Sequence, residues 1–381
     1  MQAPKQSKQT KQRTSERTSD HTSNRDSERT PERTSDRTAE RTFWQKDRLR
    51  FGILLVLLLV VNLGLILANL ASGSLDTTVS ELIWGLCHPH SQEDVALVLW
   101  TFRLPRLFLA AFAGGALALS GYLLQVFFHN PIAGPFTLGI ASGAKMSLTL
   151  ALLLANLYQI HPSSTGMLAA AISGSLLVMA LILAIARRIH RSTTLVIAGL
   201  MIGYLCSAVT DFLINFSSDQ LIANMGLWAQ GTFSGASWDD LKICMPFISL
   251  LFAASFLLAK PLLAYEMGEV YAQSAGVNLR MFRVTLIFIT STLAAIVTAY
   301  AGPISFVGLA VPHLVHIGLR NEQPHYVIPT CFLTGSAFCL LCDWIARTAF
   351  APVELGLSSL TALFGAPIVL RLLFKRQKKN R

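Results

Sequence analysis

Residues 103–146 read RLPRLFLAAFAGGALALSGYLLQVFFHNPIAGPFTLGIASGAKM. Two arginines bracket a proline, and about twenty apolar residues follow, enough to cross the ~30 Å hydrocarbon core of a bilayer as one helix. Ala111, Gly114, Ala118 and Gly121 recur at helical spacing, so one face of that helix is small and lets another backbone come close. The span ends between Gln125 and Asn130. Pro131 and Pro135 then break the chain before a second glycine-punctuated apolar span opens at Gly139 and runs on through Ser142 and Gly143. The pattern predicts a helix, a tight turn at a membrane surface and a second helix.

The rest of the composition agrees with a membrane setting. Of 381 residues, 52% are hydrophobic and only 14% charged, and the mean hydropathy is +0.51, which together argue for a polytopic all-α membrane protein. A net charge of +10 invites a nucleic-acid reading, but the first 50 residues hold 13 Lys and Arg against 8 Asp and Glu, and the other 331 hold 18 against 13. Much of the second surplus lies in short segments between apolar runs, where membrane topology puts it. No nucleic-acid partner is expected. Six cysteines fall mostly inside apolar runs; Cys339 and Cys342 sit one helical turn apart and are read as small packing residues.

From Arg13 to Thr42 the chain repeats RTSE, RTSD, HTSN, RDSE, RTPE, RTSD, RTAE. Such a segment has no apolar face to bury, so residues 1–48 are read as a disordered cytoplasmic tail. About ten spans are expected within residues 49–375, followed by a basic cytoplasmic tail over 376–381. They run about Phe51–Leu70, Arg103–Gln125, Gly139–Leu157, Met167–Ala186, Thr193–Asn215, Ile243–Leu263, Val284–Ala301, a short one through Pro312, Tyr326–Ala346 and Leu355–Phe374. A short amphipathic helix is expected outside the membrane near Val79–Leu86, and an outer loop with an interfacial helix over Phe216–Asp240. Arg48 and Arg50 before the first span, the loop from Arg187 to Arg191, and the basic end of the chain place both termini on the cytoplasmic side.

Two polar groups stand out. Arg103, Arg106 and Arg347, with Lys242 as a fourth, lie at the outer ends of spans. On chemistry alone they either snorkel to lipid phosphates or pair with carboxylates of an extracytoplasmic protein. Between the sixth and seventh spans, Tyr265–Arg283 is the longest polar segment on the inner side. Glu266 and Glu269 suit a helix amino terminus, Gly276 a left-handed stop and Asn278 a cap for the next helix, so two short helices are expected there.

The order R-L-P-R, G-A-L-A-L-S-G, Q and N-P-I-A-x-P-x-x-L-G-I-x-S-G-A resembles the FecCD/BtuC-type permease family of ABC importers for iron-siderophores, haem and vitamin B12. Residues 301–313, AGPISFVGLAVPH, and 354–367, ELGLSSLTALFGAP, extend the likeness, so it covers about Phe51–Phe374. The resemblance implies a BtuC-like, type II ABC importer fold in the bacterial cytoplasmic (inner) membrane. It implies a metal chelate as cargo, with a ferric siderophore favoured. It implies three partners besides membrane lipid: two copies of an ABC ATPase subunit, an extracytoplasmic substrate-binding protein, and a second permease chain, identical or paralogous. Arg103, Arg106 and Arg347 would dock the binding protein, with Asp343 orienting Arg347. The segment carrying Glu266, Gly268, Glu269, Ala272, Ser274, Gly276, Val277 and Asn278 would couple to the ATPase. Gly114, Ala118, Gly121, Gln125, Asn130, Pro131, Gly139, Ser142 and Gly143 would form the pathway and inner gate. Departures occur at Gly134, His316, Gly356 and Lys145.

Mechanistic alternatives lack their residues. No G-x-x-x-x-G-K-[ST] phosphate loop occurs, so no cofactor is expected in this chain and ATP would be bound by the partner. Asp211 and Asp343 lie towards span ends and Glu354 lies in a loop, without the central carboxylate cluster of a proton relay. An ion-coupled secondary transporter is the alternative. No HExxH, catalytic triad or metal-ligand set points to an enzyme.

Overall fold

A computed structural model describes residues 48–72, 79–89, 91, 94–160, 163–186, 192–216, 226, 229–319, 322–351 and 353–379. The repeat tail, His90, the Arg187–Arg191 loop, Arg320 and most of the segment between Phe216 and Gln230 lie outside them. The chain divides into two units, Met1–Ile53 and Leu54–Arg381; the helical bundle belongs to the second, and its first helix begins in the first.

The described residues are helical, with no strand among them. Among the described residues, eight helices are long and apolar enough to cross a membrane, and two shorter apolar ones accompany them. In chain order they are α1 (Arg48–Ala71), α3 (Asp94–Phe127), α4 (Ile140–Leu157), α5 (Ser164–Ala186), α6 (Ser192–Ile214), α7 (Trp238–Glu266), α9 (Leu279–Ala301), the short α10 (Val307–Leu319), α11 (Pro324–Thr348) and α12 (Leu357–Lys379). Two short helices are also described: α2 (Val79–Cys87), close to the amphipathic stretch expected there, and α8 (Glu269–Ser274).

Several boundaries differ from those read off hydropathy. The second span does not begin at Arg103, because α3 starts at Asp94 and passes through a wide π-helical turn over Leu99–Arg103. That turn ends two residues before Pro105, which has no N–H to donate and whose ring crowds the preceding turn of a regular helix. The sixth span runs on to Glu266 through a 3₁₀ turn at Phe256–Leu258, so Glu266 closes a helix rather than opening one. The residues from 376 onward continue α12 as far as Lys379; Lys and Arg are good helix formers and suit the negative end of the helix dipole.

The architecture is centred on α3 and α9, whose most apolar windows are 83% and 72% buried within the chain, against 6% for α1 and 22% for α6. Helix α3 packs chiefly on α11, then on α9 and α10, while α4 packs on α5 and α6. Lipid tails are as apolar as leucine, so helix association here rests on close backbone approach and interhelical hydrogen bonds. Both are present. A Cβ on Gly114 would strike the Gly335 carbonyl of α11, and one on Gly121 would strike the Gly308 carbonyl of α10. Ser120 Oγ donates to the Thr290 carbonyl of α9 at 3.0 Å, and Ser175 Oγ to the Ser291 carbonyl at 3.2 Å. Cys339, one of the buried free thiols, fills space against Gly114, in keeping with a packing role.

Candidate functional site

The bundle has a polar construction at each end of α3. At the amino-terminal end, Arg106 extends its guanidinium to Asp343 near the end of α11. Its Nε donates to the two carboxylate oxygens at 3.0 and 3.2 Å, and Nη2 donates to Oδ1 at 2.8 Å. The same Nη2 also donates to Glu354, in the loop before α12. Asp343 therefore holds Arg106 first and Arg347 only second, with Arg347 Nε 3.5 Å from Oδ2. The expected i, i+4 pair is present but is the longer of the two, because the bidentate geometry across helices suits a planar guanidinium better. Arg347 is held instead by Asn69 of α1, whose Oδ1 accepts from Nη2 at 2.6 Å. Arg103 is buried and donates to the Leu70 carbonyl. Lys242, the fourth cation of this group, pairs with Asp239 at an exposed position.

Asn69 was not conspicuous in the sequence, yet a signal existed. Asn62 and Asn69 stand seven residues apart in an apolar run, so they share a helix face. Each donates to the carbonyl four residues back at 2.8 Å and across to α11 at 3.1 Å, on Leu333 and Leu340 respectively. Those acceptors are also seven apart. The pair registers α1 on α11 and delivers Asn69 to Arg347.

At the other end, α3 leads into the Asn130–Pro131 turn. Gln125 Nε2 donates to the Gly308 and Leu309 carbonyls at 3.1 and 3.3 Å, tying the end of α3 to α10. Asn130 is buried; its Oδ1 accepts from Ile132 N at 3.1 Å, and Thr137 Oγ1 accepts from Gly134 N at 2.8 Å while donating to the Ile132 carbonyl at 2.9 Å. Gly139, at φ +69°, lies against the backbone of Gly199 and Gly203 in α6. Gly143 packs on Gly174 of α5, and Ser142 beside Gly203. Together with Gly114 and Gly121, these small residues stand at helix crossings inside this chain, as does Ala118, against Gly335. Their role visible here is packing, since a small-residue face serves equally for a neighbour in the same chain and for a path between chains.

The polar segment after α7 is a built structure. Gly268 has φ +119° and Gly276 φ +82°, conformations that suit glycine. Between them α8 is anchored by buried Ala272, and Val277 N donates back to the Ala272 carbonyl at 3.0 Å. Asn278 caps α9 by accepting from Met281 N at 3.1 Å, as its position suggests. Glu269 Oε1 accepts from Arg283 Nη2 at 2.6 Å and from the Tyr265 hydroxyl at 3.0 Å, locking α8 between α7 and α9. The Tyr265 ring stacks on Phe127 at 5.9 Å and lies 5.1 Å from His129, so the segment also touches the end of α3. The Ser274 hydroxyl donates back to the Val270 carbonyl at 3.0 Å. Met267, Val270, Tyr271 and Met281 remain exposed, an apolar face that hydropathy along the chain did not mark.

A bundle of helices long enough to span a bilayer, with an arginine cluster at one end of α3 and a built polar segment near the other, is, in class, a multi-pass membrane protein. The chain belongs to the FecCD transport family, whose model matches residues 56–375, and is a permease subunit of that ABC importer class. It is 32% identical over 337 residues to the hemin transport system permease protein HmuU of Yersinia pestis, covering 88% of this chain and 98% of that one. It is also 32% identical over 332 residues to the vitamin B12 import system permease protein BtuC of Escherichia coli O127:H6, covering 87% and 97%. A solved structure described as an inward-facing conformation of a metal-chelate type ABC transporter superposes with a TM-score of 0.72 at 27% identity, over 85% of this chain and 99% of the other.

Proposed function

We propose that this chain carries a metal chelate, a ferric siderophore in the first instance, across the bacterial inner membrane as one of two permease subunits. ATP is bound and hydrolysed by two partner ATPase subunits, and an extracytoplasmic binding protein delivers the cargo. Both termini face the cytoplasm, which sets the Arg106 cluster outward and α8 inward. The observation that carries the reading is the locked α8 segment. A short helix with an exposed apolar face, held between two spans by Glu269, Tyr265 and Arg283, is what an ATPase needs in order to push on the bundle. The Asn130–Pro131 turn, in contact with Tyr265 through Phe127 and His129, is the element that such a push reaches first. Relatives named for haem and vitamin B12 support a large chelate as cargo.

The test is co-purification with the partner ATPase, reconstitution into vesicles, and uptake of labelled ferric siderophore, haem or cobalamin with and without ATP. Siderophore uptake that requires ATP and the binding protein is the expected result. Uptake without the ATPase, following a pH gradient, would instead make this chain a secondary transporter.

A further inference from the structure

The three outer arginines are too covered to dock a partner directly. The side chains of Arg106 and Arg347 are only 13% and 17% exposed, and Arg103 as a residue is 7% exposed. An arginine so covered cannot meet a partner's carboxylate until something moves aside. What covers each differs. Arg103 is held by a backbone carbonyl and Arg347 by Asn69, both fixtures of the α1 packing. Arg106 is held by Asp343, whose side chain is 3% exposed, and by Glu354, whose side chain is 40% exposed.

We infer that Glu354 is an internal stand-in for the binding protein's carboxylate: it occupies the outer side of Arg106 in the free permease and yields that place on docking. The inference rests on the docking reading and adds the residue that gates it. Three observations carry it. The Arg106 fork already has a permanent partner in Asp343, so the exchange leaves no buried cation unpaired. The backbone around Glu354 is pinned on both sides, Val353 N donating to the Phe350 carbonyl at 2.9 Å and Leu355 N to the Ala346 carbonyl at 3.1 Å. Release therefore takes a side-chain rotation and no loop unfolding. Finally, Phe350 and Val353, close to Glu354 in the chain and 63% and 65% exposed, offer apolar surface that a partner can cover.

The charge balance points the same way. Two guanidiniums, Arg106 and Arg347, pair with the carboxylates Asp343 and Glu354, while Arg103, held by the Leu70 carbonyl, brings a third positive charge with no carboxylate of its own among the described residues. Withdrawing Glu354 raises the positive charge offered outward, so an acidic face gains both a site and a stronger field.

The experiment uses the full transporter in nanodiscs, wild type and Glu354→Gln, each also in an Arg106→Gln background. Two readouts apply: the rate at which phenylglyoxal modifies Arg106, followed by peptide mass spectrometry, and the Kd of the purified extracytoplasmic binding protein at graded salt. Glu354→Gln is expected to speed modification several-fold, tighten Kd by about tenfold (about 1.4 kcal/mol) and steepen its salt dependence, with the gain in affinity absent from the Arg106→Gln background. Unchanged or weaker binding by Glu354→Gln, while Arg106→Gln or Arg347→Glu weakens binding, overturns the stand-in role and leaves docking intact. Binding indifferent to all the arginine changes overturns both. Should Glu354→Gln insert poorly, Glu354→Asp, too short to reach Arg106, takes its place; a Kd no tighter than wild type then overturns the proposal.

Discussion

Asp343 is the residue on which the outer cluster balances. Its side chain is almost fully buried, takes the bidentate fork of Arg106 and lies beside Arg347, so removing its charge leaves Arg106 with only the partly exposed Glu354 and Arg347 with only the neutral Asn69. Breaking a buried ion pair by deleting one partner costs about 3–5 kcal/mol. Asp343→Asn should accordingly lower the apparent melting temperature in detergent sharply, whereas Glu354→Gln, at a partly exposed position, should leave it near wild type. The two carboxylates on one arginine thus have separable roles, one structural and one exchangeable. Their sequence positions, one at a span end and one in a loop, did not distinguish them, because the distinction lies in how much protein surrounds each.

At the scale of elements, the contact surfaces of α3 are set by missing side chains. Gly121→Ala would drive a methyl into the Gly308 carbonyl, so α10 must move off α3, at a cost of about 1–3 kcal/mol or more. Gly64→Ala is the matched control: a Cβ there meets nothing within 4 Å and alanine favours a helix. Thermal stability of the two variants in the same detergent should separate clearly. The α8 segment allows a functional counterpart. Proline holds φ near −65°, incompatible with the +82° of Gly276, so Gly276→Pro should disorder the passage from α8 to α9. ATP hydrolysis by the assembled transporter should then continue while uptake falls, and intact substrate-stimulated uptake would remove α8 from the coupling path. Asn278→Ala, which deletes only the α9 cap, should be milder, about 1 kcal/mol in stability.

For the whole molecule, the polar ends of α3 lie on opposite sides of the apolar bundle, which suits partners on both surfaces. Reversing Arg106 and Arg347 together to glutamate should abolish binding-protein-dependent uptake in whole cells. Basic substitutions on the acidic face of the binding protein should restore part of it. Removing residues 2–40, whose RTSE-like repeat offers nothing to pack, should spare transport in a correctly inserted protein, measured by uptake per inserted copy.

Much of this was legible along the chain. Apolar run length, the placement of basic residues and the turn chemistry at Asn130–Pro131, Gly276 and Asn278 depend on neighbours in sequence, and a bilayer imposes its thickness on every span alike. The sequence by itself therefore determined the membrane class, the approximate spans, the family likeness and one of the two short helices expected after the sixth span, with the Asn278 cap that follows it. Only the tertiary structure decided which partner each group takes: Arg106 with Asp343 and Glu354, Arg347 with Asn69, Glu269 with Arg283, and the glycines of α3 with α10 and α11. Those pairings join residues as many as 278 positions apart. They follow from how helices cross, and helix crossings are fixed by packing in three dimensions, to which periodicity along one chain gives no address.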